Sequence, residues 1–267
     1  MVPGTLSAPK RTWVLVLLGL ILLLAGSVLG VDWANYFLGT NALYPAIGKP
    51  AITALAMLLV LSIGENRISN RDWWLLFAAF CCMLPTDILM SIVAVSPDVT
   101  VGSWVFMIGG VLSIAAHLLL IARLVHHGAP AWRGGDSLPG RLWVPVLIYG
   151  LATALLIALW PDIVRVGHAG IAPIYTAFFC TTMWLAWETV RRKLLPKPNA
   201  WMVAIAATCW FATEITGEVY NLGLGQISEI MFRVVWVFYG TNVVLWALSG
   251  FAWVTGYDLH RLNAPQG

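Results

Sequence analysis

LFAAFCCMLPTDILMSIVAV, residues 76–95, is apolar over the roughly 20 residues a helix needs to cross a bilayer, yet it carries Asp87 near its middle. A second stretch of the same kind, AIAATCWFATEITGEVYNL at 204–222, carries Glu214 and Glu218. An ionised side chain at bilayer depth costs about 2.5–3.5 kcal/mol on insertion scales, so a chain keeps one chiefly where it lines a polar cavity or does chemistry. The two stretches together predict a helical membrane protein with an acidic cluster inside it.

Composition agrees with that class. Of the 267 residues 60% are hydrophobic and only 10% charged, and the mean hydropathy is +0.84, outside the range of soluble domains. Eight windows have the length and apolarity of spans: 13–30, 45–63, 73–95, 101–125, 142–160, 171–190, 200–222 and 231–255. The turns between them, such as GENRISNRD, AVSPDVTVG, GAPAWRGGDSLPGR and LLPKPN, carry helix-ending Pro, Gly, Asn or Asp. None is long enough to separate domains, so the expectation is an all-α polytopic protein with residues 1–267 in one membrane domain. Lys10 and Arg11 ahead of the first window resemble a signal peptide, but no clean small-x-small cleavage site follows, which favours an uncleaved span.

Twelve of the fifteen Lys and Arg residues fall on one side of an eight-span chain. They are Lys10 and Arg11; Arg67 and Arg71; Arg123, Arg133 and Arg141; Arg191, Arg192, Lys193 and Lys197; and Arg261. By the positive-inside rule both termini are then cytoplasmic, with Arg165 and Arg233 opposite and Lys49 inside a helix. A seven- or nine-span chain breaks the alternation. No basic tract interleaved with aromatics occurs outside the spans, which argues against nucleic-acid binding. Cys81, Cys82, Cys180 and Cys209 all sit in apolar runs without zinc-ligand spacing and read as packing residues. A bacterial inner membrane is the default location for so compact a chain.

The remaining signal lies in polar residues at depth. Lys49, ahead of Pro50 at the start of the second window, either snorkels to the interface or aims its ammonium inward. Asp87 lies too deep to reach water along the lipid face and must face the interior, with Thr86 beside Pro85 available for backbone groups the proline frees. Glu214 and Glu218 are one helical turn apart, with Thr213 next to the first. Two carboxyls on one face repel when both are ionised, so one is expected to hold its proton as a general acid beside a base. His117 is central in the fourth window, with no second histidine at metal-site spacing. Tyr239 and Asn242 are expected to share a pocket, with Gly240 permitting close packing. Glu188 reads as a surface ion pair with Arg191 and Arg192, and His126, His127, His168 and His260 read as solvated. Most tryptophans mark span ends as an interfacial belt, while Trp184, Trp187, Trp210, Trp236 and Trp246 lie deep enough to wall a cavity.

Taken in chain order these residues resemble the YhhN-type lysoplasmalogenase family, membrane hydrolases of about eight spans. Lys49-Pro50 matches the family's Lys-Pro, and Thr86-Asp87-Ile88-Leu89-Met90 is similar to its Gly-Asp-x-x-L. His117 after Gly109 and Gly110 falls on its helical histidine, Thr213-Glu214 corresponds to its Ser-Asp, and Phe238-Tyr239 to its aromatic last helix. Thr86 replaces Gly, Leu120 stands where Tyr is usual, and Glu214 replaces Asp.

The resemblance implies hydrolysis of the vinyl ether bond of a lysoplasmalogen drawn from the bilayer. That chemistry needs an acid to protonate carbon and an anion to stabilise the oxocarbenium ion, for which Asp87 and Glu214 are the candidates, with His117 orienting a proton or water. Lys49, Glu218, Tyr239, Asn242, Thr86 and Thr213 are the candidate substrate contacts, Lys49 near the headgroup phosphate, and the scheme requires no metal or cofactor. Two other readings compete. A membrane terpene cyclase also protonates a double bond and walls the cation with aromatics, a reading that the deep tryptophans and Trp187-Glu188 favour. A lipid transporter or receptor would use the charges only as internal locks, although no transporter-type repeat is visible.

Overall fold

A computed structural model describes residues 8–38, 43–95, 104–128, 138–222 and 226–253. It contains eight α-helices: α1 Ala8–Leu38, α2 Leu43–Ser62, α3 Asn70–Val95, α4 Trp104–Gly128, α5 Leu138–Arg165, α6 Ala172–Arg191, α7 Lys197–Asn221 and α8 Gln226–Leu248. Each expected window holds one helix. The described residues include no strand, only a single bridge between Arg67 and Phe251. Stretches long and apolar enough to cross a membrane lie in α1, α3, α4, α5 and α7, while α2 and α8 carry shorter apolar stretches at 47–62 and 233–248.

The differences from the windows lie at helix ends. α1 continues past residue 30 to Leu38 and so carries Asp32 into the bundle. α8 stops at Leu248 rather than near 255, where Gly250 lies tight against Ile63 and Leu76; Thr255 lies outside the described residues. Pro85 does not end α3, although it removes one helix donor.

Packing closes six of the helices into a ring. α2, α3 and α4 pack in succession, α4 packs on α6 directly, α6, α7 and α8 follow, and α8 returns to α2. α1 lies outside against α2 and α8, and α5 lies outside against α6. Gly109 lets α3 and α4 approach closely: a Cβ there would meet the Met90 methyl at 2.1 Å. Gly240, expected to serve such an approach, has open space beside it.

One end of the ring is sealed by polar bonds. Asp72 on α3 takes two hydrogen bonds from the Arg123 guanidinium of α4 at 2.8 and 3.0 Å, and both side chains are fully buried. Arg123 also donates to the hydroxyl and carbonyl of Ser249, and Asn199 on α7 donates to the carbonyls of Ser249 and Phe251. Arg123 is therefore an internal partner rather than a solvated loop cation, because the short turn after α2 brings Asp72 against it. His127 likewise meets Asp72 at 2.6 Å instead of standing in water. Glu188 pairs with Arg191 and Arg192 as its spacing predicts, but the carboxylate is 1% exposed, buried rather than on the surface. At the opposite end Arg165 donates to the Leu222 carbonyl at 2.7 Å, tying α5 to α7. Arg133, His260 and Arg261 lie outside the described residues.

The tryptophans divide in part as expected, with Trp33 and Trp73 partly buried and Trp73 packed against the core. Trp13, Trp74, Trp104, Trp143, Trp160, Trp201 and Trp253 are exposed near helix ends, the position of an interfacial belt, while Trp246 is fully buried in the core.

Candidate active site

Away from the sealed end the ring borders a cavity of about 790 Å³ that extends to α5 outside it. Its lining brings together Lys49 of α2, Asp87 of α3, Glu214 and Glu218 of α7, and Tyr239 of α8. Residues separated by most of the chain thus share one chamber.

Asp87 is held by hydroxyls. The hydroxyl of Thr53 donates to its Oδ2 at 2.5 Å, Tyr239 donates to the same oxygen, and the two hydroxyls lie 3.0 Å apart. Each hydroxyl has one proton, so with both aimed at an ionised carboxylate neither is left for the other. When the carboxyl is protonated it becomes a donor itself, and the triangle is satisfied again by rotating the hydroxyls. The described residues give Oδ1 no hydrogen bond, and Asp87 lines the cavity. Helix geometry explains Thr53: it lies one turn beyond Lys49 and faces the same way.

Glu214 takes a 2.6 Å hydrogen bond from the indole N–H of Trp210, one turn earlier on α7. Tyr175 of α6 neighbours Glu214 and shares a 2.6 Å hydrogen bond with Ser113 of α4. Glu218 meets Nδ1 of His168 at 3.0 Å; the carboxylate keeps 27% exposure and the imidazole 7%. His168 is buried and lines the cavity, contrary to the solvated reading, because the backbone turns it inward. Gly167 adopts φ +85° just past α5, and the His168 N–H bonds back to the Ile163 carbonyl at 2.9 Å, the glycine-dependent end of a Schellman motif.

Lys49 is 5% exposed, with Nζ 3.2 Å from the centroid of the Trp236 ring, so it points inward rather than snorkelling. Asp32 of α1 is also 5% exposed and lies near enough to both Lys49 and Arg233 to interact electrostatically with each. Sequence reading missed Asp32 because it stands beyond the first apolar window.

Other expected members lie elsewhere. His117 is fully buried but not on the cavity wall: the Trp210 ring, which lines the cavity and bonds Glu214, lies 4.0 Å from its own. Thr182 spends its hydroxyl proton on the Phe178 carbonyl, so the 3.0 Å contact to His117 Nδ1 is donated by the imidazole. Asn242 is fully buried in the core, because three residues along a helix leave it about 60° off the Tyr239 face. Thr213 bonds the Cys209 carbonyl and does not line the cavity. Thr86 lines it, but its hydroxyl goes to the Cys82 carbonyl. Of the deep tryptophans Trp210 and Trp236 wall the cavity; Trp184, Trp187 and Trp246 do not.

Neither a curated protein nor a solved structure matches the chain. The family model for the YhhN family matches residues 44–247, a span that takes in every carboxylate of the cavity. The chain belongs to the YhhN family.

Proposed function

We propose that this protein is a membrane hydrolase that cleaves the vinyl ether bond of lysoplasmalogens, releasing a fatty aldehyde and a glycerophospho-alcohol. In this reading all eight helices cross the membrane as a single domain, a bacterial inner membrane, with both termini cytoplasmic. The observation that carries the reading is the meeting of Asp87 and Glu214, from α3 and α7, on the wall of one cavity inside an apolar bundle.

The chemistry follows from that pair. One carboxyl protonates the vinyl carbon remote from the ether oxygen, and the other, as carboxylate, stabilises the oxocarbenium ion that results. Water adds to the cationic carbon and loses a proton to Glu218, which His168 holds in place. The hemiacetal returns its hydroxyl proton to the first carboxylate as the bond to the glycerol oxygen breaks. That oxygen takes the proton from Glu218. Substrate and one water become aldehyde and alcohol, and every side chain regains its starting state. Lys49 faces the headgroup phosphate, an ammonium being a good point-charge partner for it.

Aromatic walls alone would also suit a cyclase. Lys49 argues against it, since its ammonium occupies the Trp236 face and leaves that ring unavailable to stabilise a carbocation. Trp187, which favoured that reading, donates instead to Thr208 away from the cavity. The test is to offer purified protein a lysoplasmalogen and measure aldehyde. Release that disappears in Asp87→Asn supports hydrolysis, and tight lipid binding with no turnover of any vinyl ether refutes it in favour of a transporter or receptor.

A further inference from the structure

The cavity is chemically divided. Its acidic and basic groups come from α2, α3, α7 and the turn before α6, whereas the residues contributed by α5 are all hydrocarbon: Ala152, Leu155, Leu156, Leu159 and Ile163. Their spacing puts them in one stripe along α5, about 17 Å long at 1.5 Å per residue. α5 stands outside the ring and packs on α6, so the chamber leaves the ring here and runs beneath a peripheral helix. Phe179 of α6 and Ile215 of α7 supply the facing wall.

The limb has a floor. Ile148, Ala152, Phe179, Cys180 and Phe211 pack into one buried cluster, with Phe179 and Phe211 edge to face at 5.3 Å. The Ile163 end adjoins the turn that carries His168, whose partner Glu218 is polar. The stripe follows the length of one helix, a course that fits a single extended hydrocarbon chain.

We infer that the α5 limb seats the chain of a single-chain lipid with its tail against Ala152 and Phe179, and that these two residues set the longest chain accepted. The inference deepens the hydrolase reading by assigning the residues that select chain length, and rests on that reading only for what happens at the headgroup end. Each methylene seated in apolar surroundings raises affinity roughly fourfold. The added ring of Ala152→Phe displaces about three methylenes, so the preference for long over short chains falls on the order of 60-fold. Phe179→Ala lowers the floor and moves the preference to longer chains.

The experiment uses the purified full-length protein and both variants, with a mixture of lysophosphatidylcholines of graded chain length as the binding probe. Native mass spectrometry reads which chains are bound, and thermal unfolding verifies that each variant is folded. Opposite shifts, shorter for Ala152→Phe and longer for Phe179→Ala, support the seat; lost stability does not move the two profiles in opposite directions. If Ala152→Phe does not fold, Ala152→Leu reads the same shift at smaller size. Folded variants with the wild-type chain profile, or with profiles displaced the same way, overturn it. Aldehyde assays on the same samples keep the two readings apart. Turnover of lysoplasmalogen with an unmoved chain profile refutes the seat alone, and opposite shifts without turnover refute hydrolysis alone.

Discussion

Asp72 and Asp87 stand on the same helix, about four turns apart, and the bundle treats them in opposite ways. Asp72 faces the sealed end, where it meets the Arg123 guanidinium and His127, while Ser249 takes two more of the guanidinium donors. Asp87 faces the cavity, where two hydroxyls share one of its oxygens and the other oxygen takes no hydrogen bond from the described residues. A carboxylate locked into an ion pair cannot take a proton without breaking the pair, and so it holds helices together. One supported by hydroxyls changes protonation state by rotating them. On the hydrolase reading proposed above, the kind of partner is what divides the structural aspartate from the chemical one.

The sharpest break of that comparison is Asp87→Asn. General acid–base groups contribute about 10²–10⁴-fold, so aldehyde release should fall on the order of a thousandfold, with the thermal midpoint nearly unchanged because the amide still accepts from Thr53 and Tyr239. Glu214→Gln should behave alike. A rate within tenfold of wild type would remove Asp87 from the chemistry.

The sealed end should respond in the reverse sense. Arg123→Met leaves Asp72 without its guanidinium, and losing one partner of a buried pair costs about 3–5 kcal/mol, read as a lower unfolding midpoint while the rate per folded molecule is kept. Adding Asp72→Leu should recover most of the loss, since replacing both partners with apolar groups is often neutral. Lost turnover at full stability would erase the distinction between the two aspartates.

Much of this was legible in the chain. Helix number and the inward turn of Asp87 and Glu214 follow from apolar windows and from the cost of charge at depth, whereas the same windows leave Lys49 open between snorkelling and turning inward. Partner choice did not follow, because it depends on which helices adjoin. Nothing in ISNRDWW distinguishes Asp72 from a solvated loop acid until α4 brings Arg123 against it. Asp32 was hidden by a helix that outruns its apolar window, and His168 by its place between spans. Val166-Gly167-His168 did carry a local signal, a helix-ending glycine that fixes the next residue. His117 shows that depth is not access: it is buried off the cavity wall, with Trp210 packed against its ring.

Glu218 and His168 test the comparison at the intermediate scale. Glu218→Gln removes the group proposed to receive the water proton, and the rate should fall on the order of 10²-fold. His168→Gln leaves that base in place but loosens it, so kcat should fall about tenfold at constant KM, close to one charge-assisted hydrogen bond. A rise in KM at unchanged kcat would instead make His168 a substrate contact.

The smallest and most discriminating change is Thr53→Val. Thr53 is fully buried on α2 and serves Asp87 through one hydroxyl, which valine deletes at nearly constant volume. Tyr239 still donates, so the carboxyl keeps a partner in either protonation state but loses the second donor to its charged form. A hydrogen bond to a charged group contributes about 1.5–3 kcal/mol net, and with Tyr239 compensating for part of it the rate should drop roughly five- to tenfold. The unfolding midpoint should move little, because no ion pair is broken. If stability falls instead and the rate holds, Thr53 belongs with Arg123 and Ser249 as a clamp between helices, and hydroxyl support would no longer mark the chemical carboxylate.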